Sequence, residues 1–330
     1  MELLNHKYRL TIGTPINFYV GGAVDVAVPL AIPKQGIISP NTSLANVQAR
    51  VFEQHQVKFK ILRTKSSIGD LEIDVFNLGA STLGYLNDNQ GKDLAIQLEV
   101  GYESDEEYYT IFTGSIVNFI TRDMGVDNIT AIRAKDGYVN MREAYTTKTY
   151  PKGMALIDVI ADVAKDLKVA SSAIYLPELQ NVYLTKPKVV NSYTKKVLDG
   201  FANDFKYKFY VQDNILYLKS TNPDKRQSAS LLEISSATGT LLGSPTLKDN
   251  SVELKANASG VRQSIMIRTP LIGSIKLGDK VSLLSKYHEG VYEVEALEYN
   301  GDFEGNDWYI GLELKPIDGW EKSTIIPYRI

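Results

Sequence analysis

The chain has no cysteine. Disulfides, thiolate metal sites and cysteine nucleophiles are therefore excluded, and the fold must hold by packing alone. Histidine is nearly as scarce, with only His6, His55 and His288. None falls in a nucleophile or metal pattern. His288-Glu289 begins like the zinc-protease helix motif, but the second histidine that motif needs at position 292 is Tyr292. There is no G-x-S-x-G elbow, no Walker-type phosphate loop and no G-x-G-x-x-G. Charge of one sign is also lacking: the formal net charge is -3, which argues against the basic field of a nucleic-acid binder. The N-terminal MELLNHKYRL has no apolar core of secretory-signal length. The fairly apolar stretch 16–32 is broken by Gly21, Gly22, Asp25 and Pro29, so it is no membrane span.

What is present points to β-structure. Hydrophobic residues make up 44% and charged residues 23% of 330 positions, ordinary for a globular chain of two or three domains. Tyrosine occurs 20 times against 10 phenylalanines. It suits half-buried strand faces and wet interfaces, so the excess indicates sheets and assembly.

The clearest stretch is 290–315, GVYEVEALEYNGDFEGNDWYIGLELK. Tyr292, Val294 and Ala296 fall on one face of a first strand, and Trp308, Ile310, Leu312 and Leu314 on one face of a second. NGDFEGND between them supplies turn chemistry. Within it, Asn300, Asp302 and Glu304 before Gly305 space oxygen ligands as a calcium loop does. The bidentate Glu required at the twelfth position is Gly311, which favours a polar hairpin turn.

Upstream, strands are expected at 7–12, 57–62, 68–78 and 94–100. A short helix capped by Ser81 should follow the third. The span of about 13–56 holds Pro15, Pro29, Pro33 and Pro40. It reads either as an arm packed on a neighbouring subunit or as an extra hairpin. The acidic run 103–107 (ESDEE) reads as a solvated loop or as the inner wall of a channel. A second long hairpin is expected at 109–120 and 128–134. Its first strand is apolar on both faces, with Ile111, Val117 and Phe119 on one and Phe112, Ile116 and Ile120 on the other. Both faces should then be covered, by a core or by another chain.

After Asp136-Gly137 the pattern turns helical. Leu156, Ile160, Val163 and Leu167 predict a helix over 152–167. Val197, Leu198, Phe201, Ala202 and Phe205 predict another from Ser192 to position 204. A hairpin follows at 206–219. The polar stretch 220–230 reads as a linker. Strands are expected again at 240–244, 251–256, 262–269 and 275–284.

The chain is similar to phage tail baseplate hub proteins, the family shared by contractile-tail phages, tailocins and the hub part of type VI secretion spikes. The resemblance rests on LEIDVFNL at 71–78, QLEVGY at 97–102, IFTGSI at 111–116 and AKDG at 134–137. In the C-terminal part it rests on LGSPT at 242–246, LGDKV at 277–281, GVYEV at 290–294, Gly301-Asp302 and DWY at 307–309. It implies a mainly β fold with a small α/β insertion, built as two tail-tube-like β-domains or barrels plus an accessory domain. The expected division is a tube-like domain at 1–145 with its long arm, a small α/β domain at 146–222 and a β-rich domain at 223–330.

The resemblance also implies a function. The chain would be a structural hub, a homotrimeric ring linking the tail tube to the central spike. It would form part of the channel for the tape-measure protein and DNA. Its partners would be the tube, spike and tape-measure proteins and baseplate wedge proteins, without specific nucleic-acid binding or a membrane span. It would sit at the virion tail tip after assembly in the host cytoplasm. The spike is expected as a separate polypeptide, because the chain ends at Ile330. No catalytic, cofactor or metal residues are expected. The alternatives are a tail-associated cell-wall hydrolase and a carbohydrate- or receptor-binding β-protein.

Overall fold

The computed structural model describes residues 5–13, 49–65, 67–92, 94–168, 170–171, 176, 179–213, 215–220, 231–248, 264–317 and 325–326. The chain folds as β, then α/β, then β. The first part holds β1 (His6–Gly13), β2 (Arg50–Phe52), β3 (Val57–Thr64), β4 (Ser67–Phe76), α1 (Ala80–Asp88), β5 (Ala95–Tyr102), β6 (Tyr109–Asp123) and β7 (Asn128–Lys135). The middle holds α2 (Tyr138–Glu143), β8 (Tyr145–Tyr150), α3 (Leu156–Lys165), β9 (Ala170–Ser171), β10 (Lys188–Tyr193), α4 (Thr194–Phe205), β11 (Tyr207–Gln212) and β12 (Ile215–Ser220). The last part holds β13 (Leu231–Ser235), β14 (Leu242–Leu247), β15 (Ile265–Pro270), β16 (Lys280–Leu284), β17 (Glu289–Asp302), β18 (Trp308–Pro316) and β19 (Ile325–Ile326). The fold is mainly β with a small α/β insertion, as expected.

The two β-rich parts share one sheet of 14 strands, ordered β14-β15-β18-β17-β3-β4-β7-β6-β5-β1-β2. β16, β13 and β19 branch from β17. The order contains a repeat. β14-β15-β18-β17 matches β3-β4-β7-β6 strand for strand, and the run β16-β13-β19 stands where β5-β1-β2 stands in the other half. The two long hairpins, β6–β7 and β17–β18, are equivalent. Both bulge at the same place, between Ile116 and Asn118 in β6 and between Val294 and Ala296 in β17.

Alternation explains the core. Phe59 and Ile61 of β3, Leu71 and Ile73 of β4, and Ile310 and Leu312 of β18 all point into one cluster. Each fully buried side chain of this size contributes about 1.5–3 kcal/mol. Trp308, Ile310, Leu312 and Leu314 are all buried, as the sequence predicts. Ala296 is a correction. The bulge adds a residue to β17 and flips the phase, so Leu297 and Tyr299 face inward instead.

A second apolar cluster joins Leu156, Ile160 and Val163 of α3 with Leu198 and Phe201 of α4 and Leu216 of β12. Here α3 starts later than the spacing predicts. Gly153 adopts φ 86° and donates to the Leu184 carbonyl, while Leu156 donates to Val182. Those bonds hold the chain before Leu156 out of the helix, with Ala155 extended. Ser81 lies inside the first turn of α1, whose N-cap is Gly79. Ser192 belongs to β10, paired with Thr146, and Tyr193 caps α4. The strand expected at 275–284 begins only at Lys280. The linker at 221–230, the strand at 251–256 and most of the 13–56 arm lie outside the described residues; the end of that arm forms β2 on β1.

Candidate functional site

Four charged groups from three parts of the chain meet, with Arg63 and Asp136 fully buried and Lys276 at the partly exposed edge. Arg63 sits on the inward phase of β3 and is 1% exposed. Its Nη2 donates to Asp136 Oδ2 at 3.1 Å and to Asp213 Oδ1 at 2.6 Å. Asp136 follows β7, and Asp213 occupies the β11–β12 turn with φ 53°. Its backbone N–H also donates to Asp136 Oδ2 at 2.7 Å. From the last part of the chain, Lys276 Nζ donates to Asp213 Oδ2 at 3.0 Å and to the Thr110 carbonyl at 2.6 Å. Two cations thus face two carboxylates, and the group is charge-balanced.

Neutral bonds surround this junction. Tyr210 Oη donates to the Leu277 carbonyl, the Leu277 N–H to Gln212 Oε1, and Tyr299 Oη to the Ile275 carbonyl. Burial pushes the Tyr299 phenol well above its usual range. Burial alone would raise Asp213, but the Arg63 and Lys276 charges overcome it and hold it at about 2. Such a network adds little net stability over apolar packing, but it penalises any misplaced partner. It therefore fixes how the α/β unit seats on the sheet.

The outer sheet face carries a second pattern. Adjacent strands alternate in sign: Glu298 and Asp302 on β17, Lys58 and Lys60 on β3, Asp70 and Glu72 on β4, Arg133 and Lys135 on β7. The pairs Lys58–Asp302, Lys60–Glu298, Arg133–Glu72 and Lys135–Asp70 lie at 2.9, 3.0, 3.2 and 2.7 Å. Cross-strand pairs of this kind hold register on a wet surface. The face turns apolar along β6: Val117 and Ile120 are about half exposed, and Met124 in the turn more so. The cover expected over both faces of this hairpin is thus one-sided among the described residues.

The residues singled out from sequence disperse. His6 stacks on Trp308. His55 accepts the Tyr8 hydroxyl through its carbonyl, and the backbone of His288 closes a turn with Ser285. In the acidic loop, Glu103 accepts from Asn5, and the Asp105 carboxylate accepts the Tyr102 N–H. Asp302 of the calcium-like turn is tied to Lys58, and Gly311 lies in β18. Among the described residues no group of three or more acidic or histidine side chains converges as a metal site. Tyr85 and Tyr102 are buried, and Tyr108 lies under Lys7 and Arg9. Sequence reasoning misses Arg63, although Val57, Phe59 and Ile61 put it in phase with the core. No helix among the described residues is long and apolar enough to cross a membrane.

Neither a family model nor a curated protein sequence matches the chain. Solved structures do. The 43 kDa tail protein of prophage MuSo2 from Shewanella oneidensis superposes with TM-score 0.54 at 8% identity, over 81% of this chain and 94% of that one. The Francisella PdpA-VgrG complex, in its lidded form, gives 0.57 at 8% over 97% of this chain and 54% of that one. The Escherichia coli c3393 protein gives 0.50 at 7% over 81% and 75%; it is a type VI secretion component described as structurally similar to the T4 tail proteins gp27 and gp5. The fold is that of phage tail and secretion-spike proteins. Within this fold the α/β unit is locked onto the sheet by Arg63 and Asp213.

Proposed function

We propose that the chain is the structural hub of a phage tail or tail-like particle. Three copies form a ring in which six like β quartets meet the hexameric tail tube. The other end of the ring holds the central spike, and the channel passes the tape-measure protein and then DNA. The domain division at about 145 and 222 fits this reading: two tube-like regions flank an accessory α/β unit, and the 13–56 arm reaches a neighbouring subunit or the tube. The role is structural, without catalysis.

The observation that carries the proposal is the tandem strand order, β14-β15-β18-β17 beside β3-β4-β7-β6. A chain that repeats one quartet twice can match sixfold symmetry with three copies. The charge-balanced junction adds support, because its carboxylates are committed to cations. Native mass spectrometry and electron microscopy of tails carrying a tagged chain test it. Three copies at the spike end of the tube are expected. A monomer that degrades peptidoglycan, or a tag found along the tube, would overturn it.

A further inference from the structure

The α/β unit carries a face that the hub reading does not use. β8 and β10 form a sheet of two strands. Their inward residues Thr146, Tyr150 and Val190 are buried. The outward phase pairs Tyr145 with Tyr193, Thr147 with Asn191 and Thr149 with Val189. All six of these side chains are exposed. None is charged, in a chain that is 23% charged overall. The two tyrosine rings meet edge to face, with centroids 5.5 Å apart, and each residue is more than half exposed. Beside them the Thr147 hydroxyl donates to Asn191 Oδ1 at 3.0 Å.

A cleft of about 450 Å³ opens next to this ribbon, and Tyr145 belongs to both. Its polar walls are Asn140 and Glu143 of α2 and Lys165, Asp166 and Lys168 at the end of α3. Lys148 ties the ribbon to that helix end. Its Nζ donates to the Asp162 carbonyl at 3.0 Å and to Asp166 Oδ1 at 2.8 Å. Asp166 Oδ2 has no hydrogen-bond partner among the described residues. A carboxylate oxygen in that state calls for a donor. Two lysines face two carboxylates across the cleft, so it is neutral overall.

We propose that the ribbon and the cleft together bind a neutral saccharide chain. A pyranose ring has a flat face of C–H groups and a rim of hydroxyls. The exposed tyrosines offer flat apolar surface that costs little to order. The hydroxyl rim needs donors and acceptors side by side. Thr147, Thr149 and Asn191 supply both on the ribbon, while ammonium donors and carboxylate acceptors line the cleft. A sugar hydroxyl at Asp166 would give Oδ2 the donor it lacks. The cleft volume lies within the range of small-ligand sites.

Other occupants fit less well. The outward residues of each strand span only about 14 Å, on a ribbon two strands wide. That area is far below the roughly 800 Å² that a stable protein partner covers on each side. A nucleic acid would need a surplus of cations along the face, and the outward ribbon has none. The inference goes beyond the hub reading and does not depend on the ring.

The test uses the purified full-length chain and a panel of neutral hexose and N-acetylhexosamine oligosaccharides. Saturation-transfer NMR reads the contact and calorimetry the affinity. At least one oligosaccharide is expected to bind, with saturation reaching its ring C–H protons. Tyr145→Ala and Tyr193→Ala should each weaken that binding about tenfold, whereas Tyr145→Phe, which keeps the ring, should stay within about twofold. Both tyrosines are exposed, so the melting temperature should stay put and separate lost binding from lost folding. No binding across the panel would overturn the proposal. So would binding that survives the double variant Tyr145→Ala, Tyr193→Ala. If the chain binds no sugar and the folded double variant drops out of assembled particles, the face is a protein contact and the saccharide reading falls.

Discussion

His6 lies flat against Trp308, with ring centroids 4.6 Å apart and planes 12° from parallel. The first strand of the chain thereby covers the start of β18 near its other end. Phe59 meets the same indole edge-on at 5.5 Å. Trp308→Ala removes the piece shared by three strands and should cost about 3–5 kcal/mol. Thermal denaturation should show a drop of several degrees, with Trp308→Phe in between. An unchanged transition would show that the indole is not part of the core.

Asp213 predicts an acid-labile joint. Its carboxyl is held at about 2, below the unfolded value of about 3.9. A depressed folded pKa contributes stability that is complete above the unfolded value and is lost as pH falls toward the folded one. Stability should therefore decline between about pH 4 and 2, by about 2–3 kcal/mol from this group. Asp213→Asn should flatten that decline. It should also cost about 3 kcal/mol at neutral pH, since Arg63 stays buried with one carboxylate fewer. Urea titrations across the pH range read both effects.

Gly114 and Gly84 should respond to alanine in opposite ways. A Cβ on Gly114 would lie 2.5 Å from the Lys135 carbonyl oxygen, which is backbone of the neighbouring hairpin strand. Gly114→Ala should destabilise by about 1–3 kcal/mol. In α1, nothing lies within 4 Å of a Cβ on Gly84. Gly84→Ala should stabilise by about 0.5–1 kcal/mol. Denaturant midpoints compare the two directly.

Lys60 and Glu298 form one rung of the outer ladder, and both are largely exposed. Lys60→Ala should cost less than about 1 kcal/mol, and the loss should shrink further in high salt. A larger, salt-insensitive loss would mean that this face is covered.

Much of the β-structure is legible in the sequence because alternation is local. Trp308, Ile310, Leu312 and Leu314 reveal β18 within seven residues. The bulge beside Ala296 does not show, since it depends on how β17 divides its two edges among three neighbours. The start of α3 is hidden for a similar reason. Its backbone partners Val182 and Leu184 lie outside any helical window, yet they hold the preceding residues extended. The ion junction is harder still. Arg63 can be seen as a charge in a core phase, but Asp136, Asp213 and Lys276 become its neighbours only when the whole chain is folded. The tandem strand order is hinted at by the two long hairpins alone, because the halves share layout without shared residues.

The seam between β17 and β3 also sets an order of events during synthesis. Leu62 leaves the ribosome long before its partner Glu298 exists. At ordinary translation rates the wait is on the order of tens of seconds. For all of that time the nascent β3 has an open side. Arg63 also waits for Asp213, and the junction for Lys276. The first half of the chain is therefore born as a sticky, half-neutralised intermediate.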